Sequence, residues 1–183
     1  MNWLKVILFV FISFSTWAKD IDKSNEIMKA IYAEDYSTFA SAYKQIDNKE
    51  SLYFTKGHFR GMELGYLALT MYISDPRFFN LVIDYADPNE ANYFGLTPLF
   101  LAPDLCAVNK AKKLIAKGAN VNYAVEASGA TPLHLVVGTN CYGLTLLLLQ
   151  HGANKRAKTK KGKTAYDFAR RSGNKRMMAL LKI

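Results

Sequence analysis

The chain has 183 residues, half of them hydrophobic and 21% charged, a composition that fits a folded domain and excludes a disordered tail. Its 24 Lys+Arg against 15 Asp+Glu give a net charge of +9, which points to an anionic partner. Two cysteines exclude a disulfide-dense miniprotein and a four-cysteine zinc site.

The N-terminus carries one cation, Lys5, then an apolar run from Val6 to Phe14, then Ser15-Thr16-Trp17-Ala18. Thr16 and Ala18 are the small residues expected at the −3 and −1 sites of a signal-peptidase cut. A membrane-spanning helix needs about 18–20 apolar residues, and this stretch runs into Lys19-Asp20 too soon. The pattern predicts a signal peptide over 1–18, cleaved after Ala18; an uncleaved anchor is the alternative. No Asn-x-Ser/Thr site occurs, which points to a bacterial periplasm over a eukaryotic secretory route. Outside the cytoplasm nucleic acid is not an available partner. An acidic protein, lipid headgroups or an envelope polymer is.

Downstream, one word recurs. Gly95-Leu96-Thr97-Pro98-Leu99-Phe100 returns as Gly129-Ala130-Thr131-Pro132-Leu133-His134 and, degenerate, as Gly162-Lys163-Thr164-Ala165-Tyr166-Asp167, with threonine spacings of 34 and 33. A second word, Gly118-Ala119-Asn120, returns as Gly152-Ala153-Asn154, and each lies 21 residues after the threonine of its own unit. Two words in fixed phase are the mark of a repeat architecture. Pro98 and Pro132 follow a threonine cap at the first helical position, where a missing N–H costs nothing. The apolar runs Ala111–Lys117 and Leu144–Gln150 end at glycine, the usual helix stop. Each unit therefore reads as cap, short helix, turn, second helix, glycine stop and extended connector.

These words resemble the ankyrin repeat. The resemblance implies an all-α solenoid of about five helix pairs stacked side by side, with hairpin-like finger connectors at right angles, in which neighbouring units complete one another's core. The expected divisions are a single domain over 19–183, comprising an N-terminal cap pair over 25–57, a degenerate repeat over 58–92, repeats over 93–126 and 127–159, and a C-terminal cap over 160–183. In the cap pair, Asn25–Ala33 and Tyr36–Ile46 have helical periodicity. Gly61 to Ala68 fills the first-helix slot of the degenerate repeat and Phe78 to Asp87 the second, with Tyr85 in place of the stop glycine. The connector over 47–60 is irregular.

Apparent chemistry dissolves on inspection. Lys160-Lys161-Gly162-Lys163-Thr164 ends like a phosphate-binding loop, but Ala157 stands where the first glycine belongs and no parallel strand precedes it. His134 belongs to the repeat word, where an imidazole ties neighbouring units by hydrogen bonds. His151 precedes a stop glycine, and His58 stands alone. No catalytic residue, metal site or cofactor is predicted. Cys106 and Cys141 fall in the turns between the helices of adjacent repeats. An oxidising compartment permits a bond between them. Equivalent positions in packed units lie about 10 Å apart, beyond the ~7 Å limit for a disulfide, a gap that the one-residue offset and Gly138 and Gly143 near Cys141 could close. Two free thiols are the alternative.

The charge is uneven. From 151 to the end there are eleven Lys/Arg and one acid, Asp167, for a net of +10, whereas 19–150 is −2 and 19–104 alone is −5. An end cap must be polar to keep stacks from sticking end to end, but an almost acid-free stretch also suits a negative partner. The candidate contact residues are Tyr93, Phe94, Tyr123, Glu126, Lys158, Lys160 and Lys161 on the fingers, and a basic C-terminal patch of Arg170, Arg171, Lys175 and Arg176. The resemblance implies a non-enzymatic protein-binding module, monomeric when free, whose partner is acidic at its contact surface. Small exported bacterial proteins of this family resemble immunity proteins that block a toxic secreted enzyme, often a phospholipase. The alternative is an envelope-associated structural or enzyme-protecting protein whose basic end contacts anionic lipid or polymer.

Overall fold

The computed structural model describes residues 26–45, 58–59, 62–63, 66–92 and 94–182. The expected leader and its cleavage site lie outside the described residues. Among the described residues ten helices follow in chain order: α1 over 26–32, α2 Tyr36–Lys44, α3 Tyr66–Thr70, α4 Pro76–Val82, α5 Pro98–Leu105, α6 Val108–Ala116, α7 Pro132–Thr139, α8 Tyr142–Gln150, α9 Ala165–Arg171 and α10 Lys175–Leu181. They pair in sequence and stack in one direction. First helices α3, α5, α7 and α9 pack in a row, and second helices α6 and α8 pack behind them. This is the all-α solenoid of five helix pairs that the repeat words predict.

The departure is local. His58–Phe59 (β1) pairs antiparallel with Met62–Glu63 (β2), His58 opposite Glu63. The slot assigned to a helix over Gly61–Ala68 therefore opens as a short hairpin, and α3 begins only at Tyr66. The Thr-Pro that starts α5 and α7 is missing there. The second helix of the same unit also ends sooner than expected, at Val82, where the Tyr85 and Ala86 amides turn back to its carbonyl at 3.0 and 3.1 Å.

The repeat words act through backbone chemistry. After α6, the Ala119 amide bonds to Leu114 O at 2.9 Å and the Gly118 amide to Ile115 O at 3.0 Å. After α8, Ala153 and Gly152 bond to Leu148 O and Leu149 O in the same way, and after α9 Asn174 and Gly173 bond to Ala169 O and Arg170 O. This closure satisfies the last helical carbonyls and needs a left-handed residue, hence glycine. Helix α5 ends by the same pattern, Ala107 to Ala102 O and Cys106 to Pro103 O. There the left-handed residue is Cys106, at φ 45°.

The core runs the length of the stack. Leu99 and Leu133, then Ala102, Val136 and Ala169, then Leu144 and Met177, then Leu114, Leu148 and Leu181 are buried at matching positions of successive units. At the N-terminal end aliphatics give way to rings. Phe39 packs on Phe78 at 4.7 Å between centroids, Tyr36 meets Phe78 edge-on at 5.4 Å, and Tyr43 meets Tyr66 at 5.8 Å. Aromatic pairs of this geometry contribute beyond the area they bury, and they join α2 to a repeat whose fingerprint is otherwise eroded.

Candidate partner-binding surface

Successive fingers are locked to each other. The Asn89 side chain donates to Gly118 O at 3.0 Å and accepts the Asn120 amide at 2.7 Å. One unit later Asn122 donates to Gly152 O at 3.0 Å and accepts the Asn154 amide at 2.8 Å. Asparagine is the side chain that offers both a donor and an acceptor at that reach. Close approach completes the lock. The Lys160 amide donates to Ser128 O at 2.8 Å, and a Cβ on Gly129, at φ 69°, would sit 3.0 Å from that same nitrogen.

His134 ties its unit to the next, as its place in the repeat word predicts. Nδ1 accepts the Thr131 amide at 3.1 Å, so Nε2 carries the proton and donates to Lys163 O at 3.1 Å. Burial holds its pKa below the ordinary value, partly offset by the carbonyl contacts of Lys163 and Ala157. In the last unit Asp167 takes the place of the imidazole. Its Oδ2 accepts from the Thr164 amide at 3.0 Å and from Thr164 Oγ1 at 2.9 Å, and these bonds lower its pKa. Gly162, at φ 71°, turns that finger, with its amide on Thr159 O at 2.8 Å; the basic run around it is finger backbone and not a phosphate loop.

Cys106 and Cys141 are joined by a disulfide with Cα atoms 5.5 Å apart. The repeat equivalent of Cys106 is Asn140, which also has a positive φ, of 57°, at the end of α7. Cys141 lies one residue further, at the start of α8. The bond therefore joins non-equivalent positions, and that offset brings the pair within reach. Gly138 lies within α7, where an added Cβ would meet nothing within 4 Å, whereas a Cβ on Gly143 would lie 3.3 Å from Val108 Cγ2, so the bare glycine permits close approach of α8 to the preceding unit.

The sequence-predicted contact residues separate. Tyr93 lies outside the described residues. Phe94 is half exposed at the finger tip, its amide on Asn92 Oδ1 at 3.0 Å. Tyr123 is only partly exposed, and its ring packs edge-on against buried Phe100 at 6.0 Å. Glu126, Lys158, Lys160 and Lys161 are exposed along the fingers. The basic C-terminal set divides in two. Arg176 stacks over Tyr142 at 4.3 Å, and the Tyr142 hydroxyl donates to Asn174 at 2.6 Å, so Arg176 fastens the last pair to the stack. Arg170 and Arg171 instead line an open hollow on α9 with Lys163, Asp167 and Phe168. Sequence reasoning missed Phe168. Its position was legible: it is the repeat equivalent of Leu135, which is only partly buried.

Another tie was not foreseen. Lys110 Nζ donates to Thr70 O, Met71 O and Ile73 O at 2.9, 2.9 and 2.7 Å, capping the end of α3 from the neighbouring unit. Among the described residues no three His, Cys, Asp or Glu side chains gather as a metal-binding group, and no helix is long and apolar enough to cross a membrane.

Comparison with known proteins agrees with this architecture. The family model for ankyrin repeats (3 copies) matches residues 27–159. The chain is similar to the ankyrin repeat and LEM domain-containing protein 1 homolog of Caenorhabditis elegans, 41% identical over 64 residues, which is 35% of this chain and 9% of that protein. It is similar to human 2-5A-dependent ribonuclease, 37% identical over 67 residues, 37% of this chain and 9% of the ribonuclease. It is similar to the putative E3 ubiquitin-protein ligase XBAT34 of Arabidopsis thaliana, 42% identical over 83 residues, 43% of this chain and 22% of the ligase. The chain thus spans 9% to 22% of these relatives' lengths.

Proposed function

The chain belongs to the ankyrin-repeat family, whose repeats form protein–protein interaction modules, and from that premise we propose that it is an exported, non-enzymatic binding protein of the periplasm. In this reading it acts as an immunity-type inhibitor: the rigid row of fingers and first helices covers the catalytic cleft of a toxic secreted enzyme, such as a phospholipase. The observation that carries the export half is the Cys106–Cys141 bond between adjacent repeats, because such bonds persist in oxidising compartments. It stands with the signal-peptide pattern over 1–18. The inhibitor half draws on the finger locks, which spare a binding surface the entropy of ordering its loops on contact.

The test is capture of a partner by the purified chain, residues 19–183, from envelope extract. The expected result is one protein at 1:1 stoichiometry whose enzymatic activity falls on binding. Repeated captures without a stoichiometric partner overturn the reading. A second reading is favoured by the net +10 of residues 151–183: an envelope protein held on anionic lipid. Flotation with bare anionic liposomes, absent in raised salt, would support it.

A further inference from the structure

We propose that the hollow on α9 is a receptor for an acidic protein segment, whose apolar side chain seats on Phe168 while its flanking carboxylates pair with Lys163, Arg170 and Arg171. This deepens the binding-module reading and rests on it.

The hollow gathers several cations around one aromatic ring. Its five lining residues are three cations, one aromatic and one acid. Phe168 is 37% exposed, and the edge contact with His134 at 5.8 Å fixes its ring. A fixed, partly exposed aromatic is an anchor that costs little side-chain entropy to use. Asp167 offsets only one of the three cations. Its Oδ2 is held by Thr164 at the start of α9, and its Oδ1 pairs with Arg170 at 3.5 Å, which leaves the hollow two positive charges in excess. No other acid occurs from 151 to the end.

The geometry selects among anionic partners. Two arginines and a lysine around one aromatic suit an apolar residue between carboxylates, since guanidinium groups hold carboxylates by paired hydrogen bonds. A flat headgroup layer would meet the outer cations and leave the hollow unfilled. A second copy of the chain, through its acidic 19–104 half, is the remaining competitor and is tested directly.

The experiment selects short random peptides displayed on phage against the immobilised chain. The expected winners carry Asp or Glu on both sides of a Leu, Phe or Tyr. Their binding is lost in Phe168→Ala and in the Arg170→Glu/Arg171→Glu double variant. It persists in Lys29→Glu/Lys112→Glu, which changes net charge equally at exposed sites outside the hollow and the basic C-terminal patch. Circular dichroism establishes that each variant is folded. Winners that survive the Arg170/Arg171 reversal, or that lack acidic flanks, overturn the hollow while leaving the binding module intact. No winners at all overturn the proposal, as does reversal-sensitive retention on phosphatidylglycerol vesicles without peptide selection, which also sinks the binding-module reading. Reversal-sensitive dimerisation in sedimentation assigns the site to a second copy and overturns it likewise.

Discussion

Asn122 holds Asn154 across two repeats: its Oδ1 accepts the Asn154 amide at 2.8 Å while its amide nitrogen donates to the carbonyl just upstream, on Gly152, at 3.0 Å. Each finger thus templates the next, one full period away. A net hydrogen bond contributes about 0.5–1.5 kcal/mol. Asn122→Ala should therefore destabilise the chain by roughly 1–2 kcal/mol, read as a lower urea midpoint at unchanged m. Asn122→Asp keeps the acceptor and should fall between the two. Equal midpoints for all three would mean that the finger contact is not energetic.

The disulfide predicts a reduced state of lower stability. Sulfurs 35 residues apart in sequence restrict the unfolded chain by about 3–4 kcal/mol in the chain-entropy treatment. The double variant Cys106→Ser/Cys141→Ser should lose close to that amount. The oxidised chain should resist thiol alkylation until reduced, and alkylation of two thiols without a reductant would refute the bond in solution.

Two glycines at similar φ separate conformational strain from crowding. Gly152, at φ 82°, has open space where a Cβ would go, so Gly152→Ala should cost only about 1–2 kcal/mol for the left-handed backbone. A Cβ on Gly129, at φ 69°, would lie 3.0 Å from the Lys160 amide nitrogen. Gly129→Ala should cost about 1–3 kcal/mol more, as overpacking does. Matching losses in thermal unfolding would show that the two fingers are not in close contact.

The His134 arrangement predicts acid sensitivity. The imidazole is buried, so its folded pKa lies below the unfolded value of about 6.5. The unfolded chain then binds more protons as pH falls, and stability must fall with it. The contribution is fully present above the unfolded value and is lost as pH drops below about 6.5 toward the folded pKa. Urea midpoints should decline through that window, and His134→Leu should flatten the decline while lowering stability at neutral pH. A His134 imidazole that titrates above 6.5 by NMR would contradict the arrangement.

Lys110 makes the sharpest test of an unforeseen contact. Its ammonium satisfies three carbonyls at the end of α3, and bonds to charged groups contribute about 1.5–3 kcal/mol. Lys110→Met should destabilise by roughly 2–3 kcal/mol, whereas Lys112→Met, exposed on the same helix, should leave the urea midpoint unchanged.

By themselves, the residues determined everything that repeats. Thr-Pro at 97–98 and 131–132 sets where α5 and α7 begin, because a proline has no amide to lose at the first helical position. Gly118, Gly152 and Gly173 set where α6, α8 and α9 end, because only a left-handed residue returns two amides to the last carbonyls. Local rules of this kind, iterated at a fixed period, specify a stack. Where the words erode, the reading erodes with them: α3 begins at Tyr66 and follows a short hairpin, and α4 stops at Val82. The tertiary structure alone decided what depends on the offset between neighbouring units. Cys106 reaches Cys141 because a left-handed cysteine meets a residue one step out of phase. Arg176 goes to Tyr142 while Arg170 and Arg171 gather with Phe168, although all three arginines lie in one basic stretch. Spacing along the chain records period, and direction in space appears only when one helix is laid against the next.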